Sequence, residues 1–251
     1  AVYNKACLPA LKAIKAASPV PIVADVHFDY RLAVGAIENG ADKLRINPGN
    51  ISRPEHIELV AHCARMHKVP IRVGANSGSL EKELLSRYGV GPKSICASVE
   101  KNVRLLEKQG FDNIVLSAKC SDVRMMTACY EMLSKQFNYP LHLGVTEAGG
   151  YEAGTVKSAV GIGALLLKGI GDTIRVSLTG DPIKEVSVAR SILMSLGLLK
   201  EGIEIISCPT CGRTRVNVEG MVNEVMERTK DIKTPITVAV MGCVVKGPGE
   251  T

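Results

Sequence analysis

Two short stretches decide the fold: Val23-Ala24-Asp25-Val26-His27 and, further along the chain, Leu44-Arg45-Ile46-Asn47. Each is an apolar run of strand length that ends in charged or polar side chains, and each is followed by apolar residues at helical spacing. The same pattern recurs through the first three quarters of the chain. The predicted strands are, in order, 21–26, 41–47, 69–76, 113–119, 140–146 and 173–179. This alternation is typical of βα units that form a parallel sheet.

Polar groups at the carboxyl ends of the predicted strands favour a barrel over an open doubly wound sheet. The groups are Asp25, His27, Arg45, Asn47, Arg72, Asn76, Lys119, Thr146, Glu147, Arg175 and Ser177. A barrel brings all of its strand ends around one mouth, whereas an open sheet concentrates them near one crevice. We therefore expect an incomplete α/β (β/α)₈ TIM-like barrel with six βα units present. The two remaining strands are expected before Ala1 in a longer protein.

The pattern changes near Gly197. A predicted strand at 203–208, a helix at 216–229 and a second strand at 237–243 form a small βαβ piece with its own motif. We expect a barrel domain over residues 1–196 and a small α/β domain over 197–251. The second domain is expected to be truncated at its carboxyl end.

Composition limits the class of protein. Of 251 residues, 46% are hydrophobic and 22% are charged, which suffices for one sizeable core and a smaller unit. The longest apolar stretches are shorter than the roughly 20 residues that a membrane span needs, so we expect a soluble protein. The net charge of +6 favours an anionic ligand but lacks the dense basic stripe of a nucleic-acid binder. Eight cysteines without a signal peptide predict a reducing compartment.

The strongest local motif combines Cys208-Pro-Thr-Cys211 with Cys243 and, after a Gly-Pro-Gly turn, Glu250. Both cysteine groups follow predicted strands, so a βαβ unit would bring three thiolates together. Structural zinc normally takes four Cys or His ligands, whereas an iron-sulfur cubane tolerates three thiolates and one harder ligand. The pattern favours an iron-sulfur cluster over its alternatives, which are a redox Cys pair and a non-enzymatic zinc-stabilised binding module.

Four cations at the predicted mouth suggest a phosphate site. They are Arg45, Arg72, Lys119 and Arg175. Any one of them alone is more simply a surface ion pair. Four around one cavity would repel each other unless an anion lay among them, and the Arg guanidinium matches phosphate geometry. A phosphate-bearing substrate is the expected occupant.

The same mouth contains groups that could move protons or bind hydroxyls, namely Asp25, His27, His142 and Glu147. A histidine within a strand is as often a satisfied core residue, and that alternative stays open for His142. Glu147 lies beside Gly149-Gly150, where the backbone can move. It is therefore the preferred catalytic candidate.

Taken in order, several segments resemble the 4-hydroxy-3-methylbut-2-enyl diphosphate synthases of the methylerythritol phosphate route to isoprenoids. The segments are 23–31, 44–51, 72–80, 144–149, 175–179 and the Cys208, Cys211, Cys243 and Glu250 set. The resemblance implies reductive ring-opening dehydration of 2-C-methyl-D-erythritol 2,4-cyclodiphosphate to 4-hydroxy-3-methylbut-2-enyl diphosphate. Electrons would come from ferredoxin or flavodoxin through a [4Fe-4S] cluster. A rival within the same resemblance is a non-redox hydro-lyase whose open iron acts only as a Lewis acid.

The resemblance also implies roles for individual residues. Cys208, Cys211, Cys243 and Glu250 would hold the cluster, with Glu250 displaced by a substrate oxygen, and Glu147 would serve the hydroxyl side or proton delivery. The diphosphate would be held by Arg45, Arg72, Asn76, Lys119, Arg175 and Ser177. The family further implies a head-to-tail homodimer in which each cluster domain closes over the partner's barrel. A bacterial cytoplasm is the expected location, with a plastid as the alternative.

Overall fold

The computed structural model describes residues 1–27, 29–46, 51 and 53–243, with the side chain of residue 79 left out. Backbone contacts divide the chain into two units, Ala1–Ala189 and Arg190–Thr251. Within the described residues, no helix is both long and apolar enough to cross a membrane.

Unit 1 alternates strands and helices along its whole length. Its strands are β1 (Val23–Val26), β2 (Lys43–Ile46), β3 (Ile71–Asn76), β4 (Ile114–Lys119), β5 (His142–Leu143) and β6 (Thr173–Ile174). Its helices are α1 (Cys7–Ala17), α2 (Tyr30–Glu38), α3 (Pro54–Met66), α4 (Lys82–Tyr88), α5 (Pro92–Lys108), α6 (Val123–Gln136) and α7 (Tyr151–Leu166), and α8 (Pro182–Ser195) crosses the division between units. A short 3₁₀ turn covers Ser77–Ser79.

The strands of unit 1 are parallel and follow one another in chain order. Strands β1 to β4 form one sheet and β5 and β6 form another. A parallel bridge from Leu116 to Leu141 joins β4 to the β5 side, and the Leu116 amide donates to the Pro140 carbonyl at 2.8 Å. Consecutive parallel strands joined by helices form the wall of a barrel. No pairing of β6 with β1 occurs within the described part of the chain.

The core of unit 1 lies on both faces of this wall, as expected for parallel strands covered by helices. Leu44, Ile71, Val73 and Leu116 have no exposed surface. Local signals set the helix ends: the Asp29 carboxylate accepts from the Arg31 amide at 2.9 Å at the start of α2. Gly110 adopts φ +63° after α5, a left-handed conformation that glycine favours and that ends the helix.

Unit 2 contains a βαβ piece. It has β7 (Ile203–Ser207), α9 (Val218–Thr229) and β8 (Ile236–Val240), with β7 and β8 parallel and in register from Ile203↔Ile236 to Ser207↔Val240. Asn217 caps α9 by accepting from the Gly220 amide at 3.0 Å. The two strands therefore end side by side, and the predicted cysteines follow those ends.

Two predicted strands are longer than the structure has them. The stretches 140–146 and 173–179 form ladders only at His142–Leu143 and Thr173–Ile174. The backbone changes partners beyond these ladders, because the Thr146 amide donates to the Cys120 carbonyl and the Thr179 amide donates to the Gly149 carbonyl. These residues remain hydrogen-bonded but lie in loops at the carboxyl end of the wall.

Candidate active site

Strand register places the predicted polar residues of β1 to β3 on one face of the sheet. Asp25 is directly opposite Arg45, and Arg45 is opposite Arg72. Further along, Asn76 is opposite Lys119, on the same side as Arg72 because side chains alternate along a strand. Strands β1 to β4 thus direct these polar side chains to one side of the wall.

Asp25 and Arg45 form the best-ordered pair of this cluster. Nη1 of Arg45 donates to Oδ1 of Asp25 at 2.7 Å, and Nε2 of His27 lies 3.3 Å from Oδ2 of the same carboxylate. Burial alone would raise the pKa of Asp25. The hydrogen bond and the charge of Arg45 outweigh this effect, so the net pKa lies below its usual value. Asp25 is therefore ionised at neutral pH and neutralises Arg45.

Among the described residues, Lys119 and Arg72 form no ion pair with a carboxylate. Lys119 is only 6% exposed. This burial, reinforced by the charge of Arg175, lowers its pKa to about 6. Burial likewise lowers the pKa of Arg72 to about 10, and its buried Nε has no hydrogen-bond partner in the part of the chain that the structure describes. Burial thus disfavours the charged form of both side chains, and a bound anion would supply the interaction that favours it.

His142 is a neutral side chain in this setting. Burial, with the charge of Lys119, lowers its pKa to about 2. Its Nδ1 lies 2.8 Å from Oγ1 of Thr173, whereas its buried Nε2 has no hydrogen-bond partner among residues 1–27, 29–46, 51 and 53–243. The structure therefore does not make His142 a satisfied core residue, and Nε2 remains able to bind a further group.

Tyr130 joins the strand ends that carry Lys119 and His142. Its hydroxyl donates to the His142 carbonyl at 2.6 Å and accepts from the Ala118 amide at 3.1 Å. Sequence analysis missed this residue because a tyrosine among Met126, Cys129 and Leu133 reads as an ordinary apolar position of α6. The available signal was that a buried tyrosine hydroxyl normally requires a partner.

The ends of β5 and β6 approach closely at Gly144 and Arg175. A Cβ on Gly144 would lie 2.8 Å from the Arg175 carbonyl oxygen and 3.5 Å from Cε of Lys119. Nη2 of Arg175 donates to Oγ of Ser177 at 3.4 Å. The absence of a side chain at residue 144 thus brings Arg175 to the same cluster as Lys119.

Glu147 lies in the loop after β5, is exposed and has φ +53°. A left-handed backbone at a non-glycine residue is uncommon and is found preferentially at functional sites. Within the described residues, its carboxylate forms no ion pair. Its role as the catalytic carboxylate stays a prediction.

The cysteines of unit 2 gather around the ends of β7 and β8. Sγ of Cys208 accepts from the Gly242 amide at 3.3 Å, and the Cys208 amide donates to the Val240 carbonyl at 3.3 Å. The loop that carries Cys211 is hydrogen-bonded to the same glycine, since the Arg215 amide donates to the Gly242 carbonyl at 2.9 Å. All three predicted thiols are free.

Cysteine thiolates such as these are suitable ligands for a soft metal group. An amide that donates to a cysteine sulfur is a usual feature around iron-sulfur ligands. Among the described residues, no three His, Cys, Asp or Glu side chains already stand in a metal-binding arrangement. The fourth predicted ligand, Glu250, and the predicted strand-end residue Asn47 lie outside the described residues.

Two features define the class of protein. Unit 1 is a parallel α/β wall with a cluster of basic side chains on one side, and unit 2 contains a βαβ piece with three thiols. The class is a TIM-barrel-type enzyme for an anionic substrate, with a second unit suited to a thiolate-held metal group.

Comparison with known proteins identifies the family. The family model described as the GcpE TIM-barrel domain matches residues 1–190, and the GcpE protein C-terminal domain matches residues 204–251. The chain belongs to the GcpE family. This confirms the predictions of family and of a TIM-type barrel; the domain boundary placed after residue 196 stays a prediction.

Curated relatives agree along the whole chain. It is 58% identical over 251 residues to the 4-hydroxy-3-methylbut-2-en-1-yl diphosphate synthase (flavodoxin) of Caldanaerobacter subterraneus subsp. tengcongensis, covering 100% of this chain and 71% of the relative. It is 54% identical to the enzyme of the same name from Clostridium perfringens, covering 100% of this chain and 72% of that one.

Solved structures support the fold alone. The Yersinia pestis dihydropteroate synthase is 13% identical, with a TM-score of 0.52, and the match covers 78% of this chain and 81% of that one. Identity at this level carries no functional argument.

Proposed function

We propose that the chain catalyses the reductive ring-opening dehydration of 2-C-methyl-D-erythritol 2,4-cyclodiphosphate to 4-hydroxy-3-methylbut-2-enyl diphosphate, an isoprenoid precursor. Its relatives carry the name of this synthase over the full length of the chain. The observation that carries the proposal in the structure is the desolvated pair Lys119 and Arg72. Both have pKa values lowered by burial, and both lack a carboxylate partner among the described residues.

The diphosphate would supply the negative charge that these buried side chains lack. Arg45, Arg72 and Arg175 would bind its oxygens through their guanidinium groups, and Asn76 and Ser177 would add neutral hydrogen bonds. Lys119 would take up a proton as the anion enters, because a nearby negative charge favours the ammonium form. Asp25 and His27 would orient Arg45 or bind the substrate hydroxyls.

An iron-sulfur cluster held by Cys208, Cys211, Cys243 and Glu250 would supply electrons and one Lewis-acidic iron. The exposed carboxylate of Glu147 would hold or move a proton on the hydroxyl side of the substrate. Electrons would come from flavodoxin, the donor in the relatives' names, with ferredoxin as the alternative.

The active assembly is proposed to be a head-to-tail homodimer in the cytoplasm of a bacterium, with each cluster unit serving its partner's barrel. Mixing subunits tests this arrangement. In a dimer of one Arg72→Ala chain and one Cys208→Ser chain, one of the two sites would be intact. It would combine the barrel of the Cys208→Ser chain with the cluster unit of the Arg72→Ala chain. Recovery of turnover on mixing would support it, and two inactive parents that stay inactive when mixed would contradict it.

The decisive experiment is anaerobic reconstitution with iron and sulfide, followed by turnover with a chemical reductant. Iron and sulfide should bind in a near-stoichiometric ratio, and product should form only with reductant. Glu147→Gln should keep the iron and lose turnover. Zinc without sulfide, or turnover without reductant, would reject the proposal.

A further inference from the structure

The loop 208–216 of unit 2 presents two cations beside an exposed thiol. Cys211, Arg213 and Arg215 are all exposed, and the loop contains no acidic residue. The loop is folded, since the Thr214 amide donates to the Cys211 carbonyl at 2.9 Å and the Cys211 amide donates to Oγ1 of Thr214 at 2.9 Å. The two guanidinium groups therefore project from a defined turn.

The two arginines of this turn differ from the other arginines of the unit in their ion pairing. Arg190 pairs with Glu201, and Arg228 pairs with Glu224 at 2.5 Å. Within the described residues, neither Arg213 nor Arg215 forms an ion pair. Positive charge is thus left uncompensated at the thiol end of the βαβ piece.

Apolar surface lies next to these charges in the chain. Val216 is 48% exposed and Met221, in the first turns of α9, is 44% exposed. Transient electron-transfer complexes bury little surface and combine a small apolar contact with complementary charge. Charge complementarity mainly speeds and orients such encounters.

We propose that Arg213, Arg215, Val216 and Met221 form the docking surface for an acidic electron-carrier protein of the flavodoxin class; this rests on the proposed function. The charge favours an anionic partner, and flavin mononucleotide itself carries a phosphate. Docking here brings the carrier to the loop that holds Cys211, one of the proposed cluster ligands. A cluster held by this loop would then be within a short electron-transfer path of the flavin.

The substrate diphosphate is the other anion that these arginines could bind, and the experiment separates the two. Arg215→Glu reverses one charge on a residue that is not a proposed ligand. Arg228→Glu is the matched control, because it reverses an exposed arginine of the same unit away from the loop. Binding of oxidised flavodoxin to each reconstituted protein is measured by calorimetry, between about 0.05 and 0.3 M salt.

Arg215→Glu should weaken flavodoxin binding by about tenfold or more at low salt, and Arg228→Glu by less than about twofold. Wild-type binding should weaken as salt rises, and that dependence should be smaller for Arg215→Glu. Equal effects of the two variants, or no binding by the wild-type protein, would overturn the docking surface.

Turnover supplies the second readout. The ratio of the flavodoxin-driven rate to the rate driven by reduced methyl viologen should fall in Arg215→Glu and stay near the wild-type ratio in Arg228→Glu. A substrate KM raised equally with both donors, without loss of flavodoxin binding, would assign Arg215 to the substrate and reject docking. Absence of viologen-driven turnover in the wild-type protein would reject the proposed function instead, whatever the binding result.

Discussion

The ammonium group of Lys119 illustrates how a residue can cost stability in order to bind a ligand. Its pKa is lowered from 10.5 to about 6 in the folded chain, chiefly by burial. An unfolded chain would take up the proton at a higher pH than the folded one. This residue therefore costs no stability above about pH 10.5 and destabilises the folded chain increasingly as the pH falls towards 6.

Replacing Lys119 with Met should raise the melting temperature of the ligand-free protein at pH 7. The aliphatic stem is kept and the cost of desolvating the amine is removed, so we expect a gain of at least about 1 kcal/mol, or about 2 to 4 °C. The gain should shrink as the pH rises towards 10. Lys135→Met, at an exposed position of α6, is the control, and an equal or larger gain there would contradict the explanation.

The affinity for inorganic pyrophosphate should depend on pH through the same residue. Below pH 6 Lys119 is already charged, whereas above it binding must take up a proton. The advantage of the wild-type protein over Lys119→Met should therefore fall with rising pH, by up to about tenfold per unit. His142 does not titrate in this range, because its pKa is lowered to about 2. Calorimetry in buffers of different ionisation enthalpy would measure the proton uptake, and none at pH 8 would refute it.

Tyr130 acts at the residue scale by replacing a missing sheet hydrogen bond. Tyr130→Phe would leave the Ala118 amide and the His142 carbonyl buried without this partner. We expect a loss of about 1 to 3 kcal/mol in urea unfolding. Tyr139→Phe, whose hydroxyl donates to Glu107 at 3.0 Å in a half-buried setting, should cost less. Equal losses would remove the special role of Tyr130.

At the scale of elements, the short strands β5 and β6 are held at a spacing that only glycine permits. A Cβ at residue 144 would meet a backbone oxygen, which cannot turn aside as a side chain can. Two strands of two residues each have few ladder bonds to resist the resulting shift.

Gly144→Ala should therefore destabilise the protein by about 1 to 3 kcal/mol and weaken pyrophosphate binding as well. Gly163→Ala is the matched change, because a Cβ there has no heavy atom within 4 Å and lies inside α7. It should stabilise by up to about 1 kcal/mol through helix propensity. Chemical unfolding of both variants checks the opposite signs, and a neutral Gly144→Ala would show that the strands can move apart freely.

At the scale of the whole molecule, the chain consists of two contact-defined units with different chemistry. Ligand binding to a folded unit raises the stability of that unit by mass action. Removing a metal group should thus affect one unit more than the other.

Cys208→Ser should lose most of its iron on reconstitution, whereas Cys63→Ser, on α3 of unit 1, should keep it. Calorimetry of the iron-loaded wild-type protein should show two transitions, of which chelation lowers only the one belonging to unit 2. Iron retained by Cys208→Ser, or both transitions lowered together, would contradict a cluster confined to unit 2.

Local sequence patterns were enough to predict the βα alternation, the parallel order of strands and the cysteine pattern, because hydrophobic period and motif spacing are local properties. They also predicted which side chains lie at the carboxyl ends of the strands. The folded chain alone shows that Asp25 neutralises Arg45, that Lys119 has no carboxylate partner among the described residues, and that Tyr130 bridges two strands. Strands β5 and β6 are also shorter than predicted, because the backbone beyond them forms hydrogen bonds to loop residues instead of continuing the ladder. Pairing and desolvation depend on residues far apart in the chain, so no local pattern carries them.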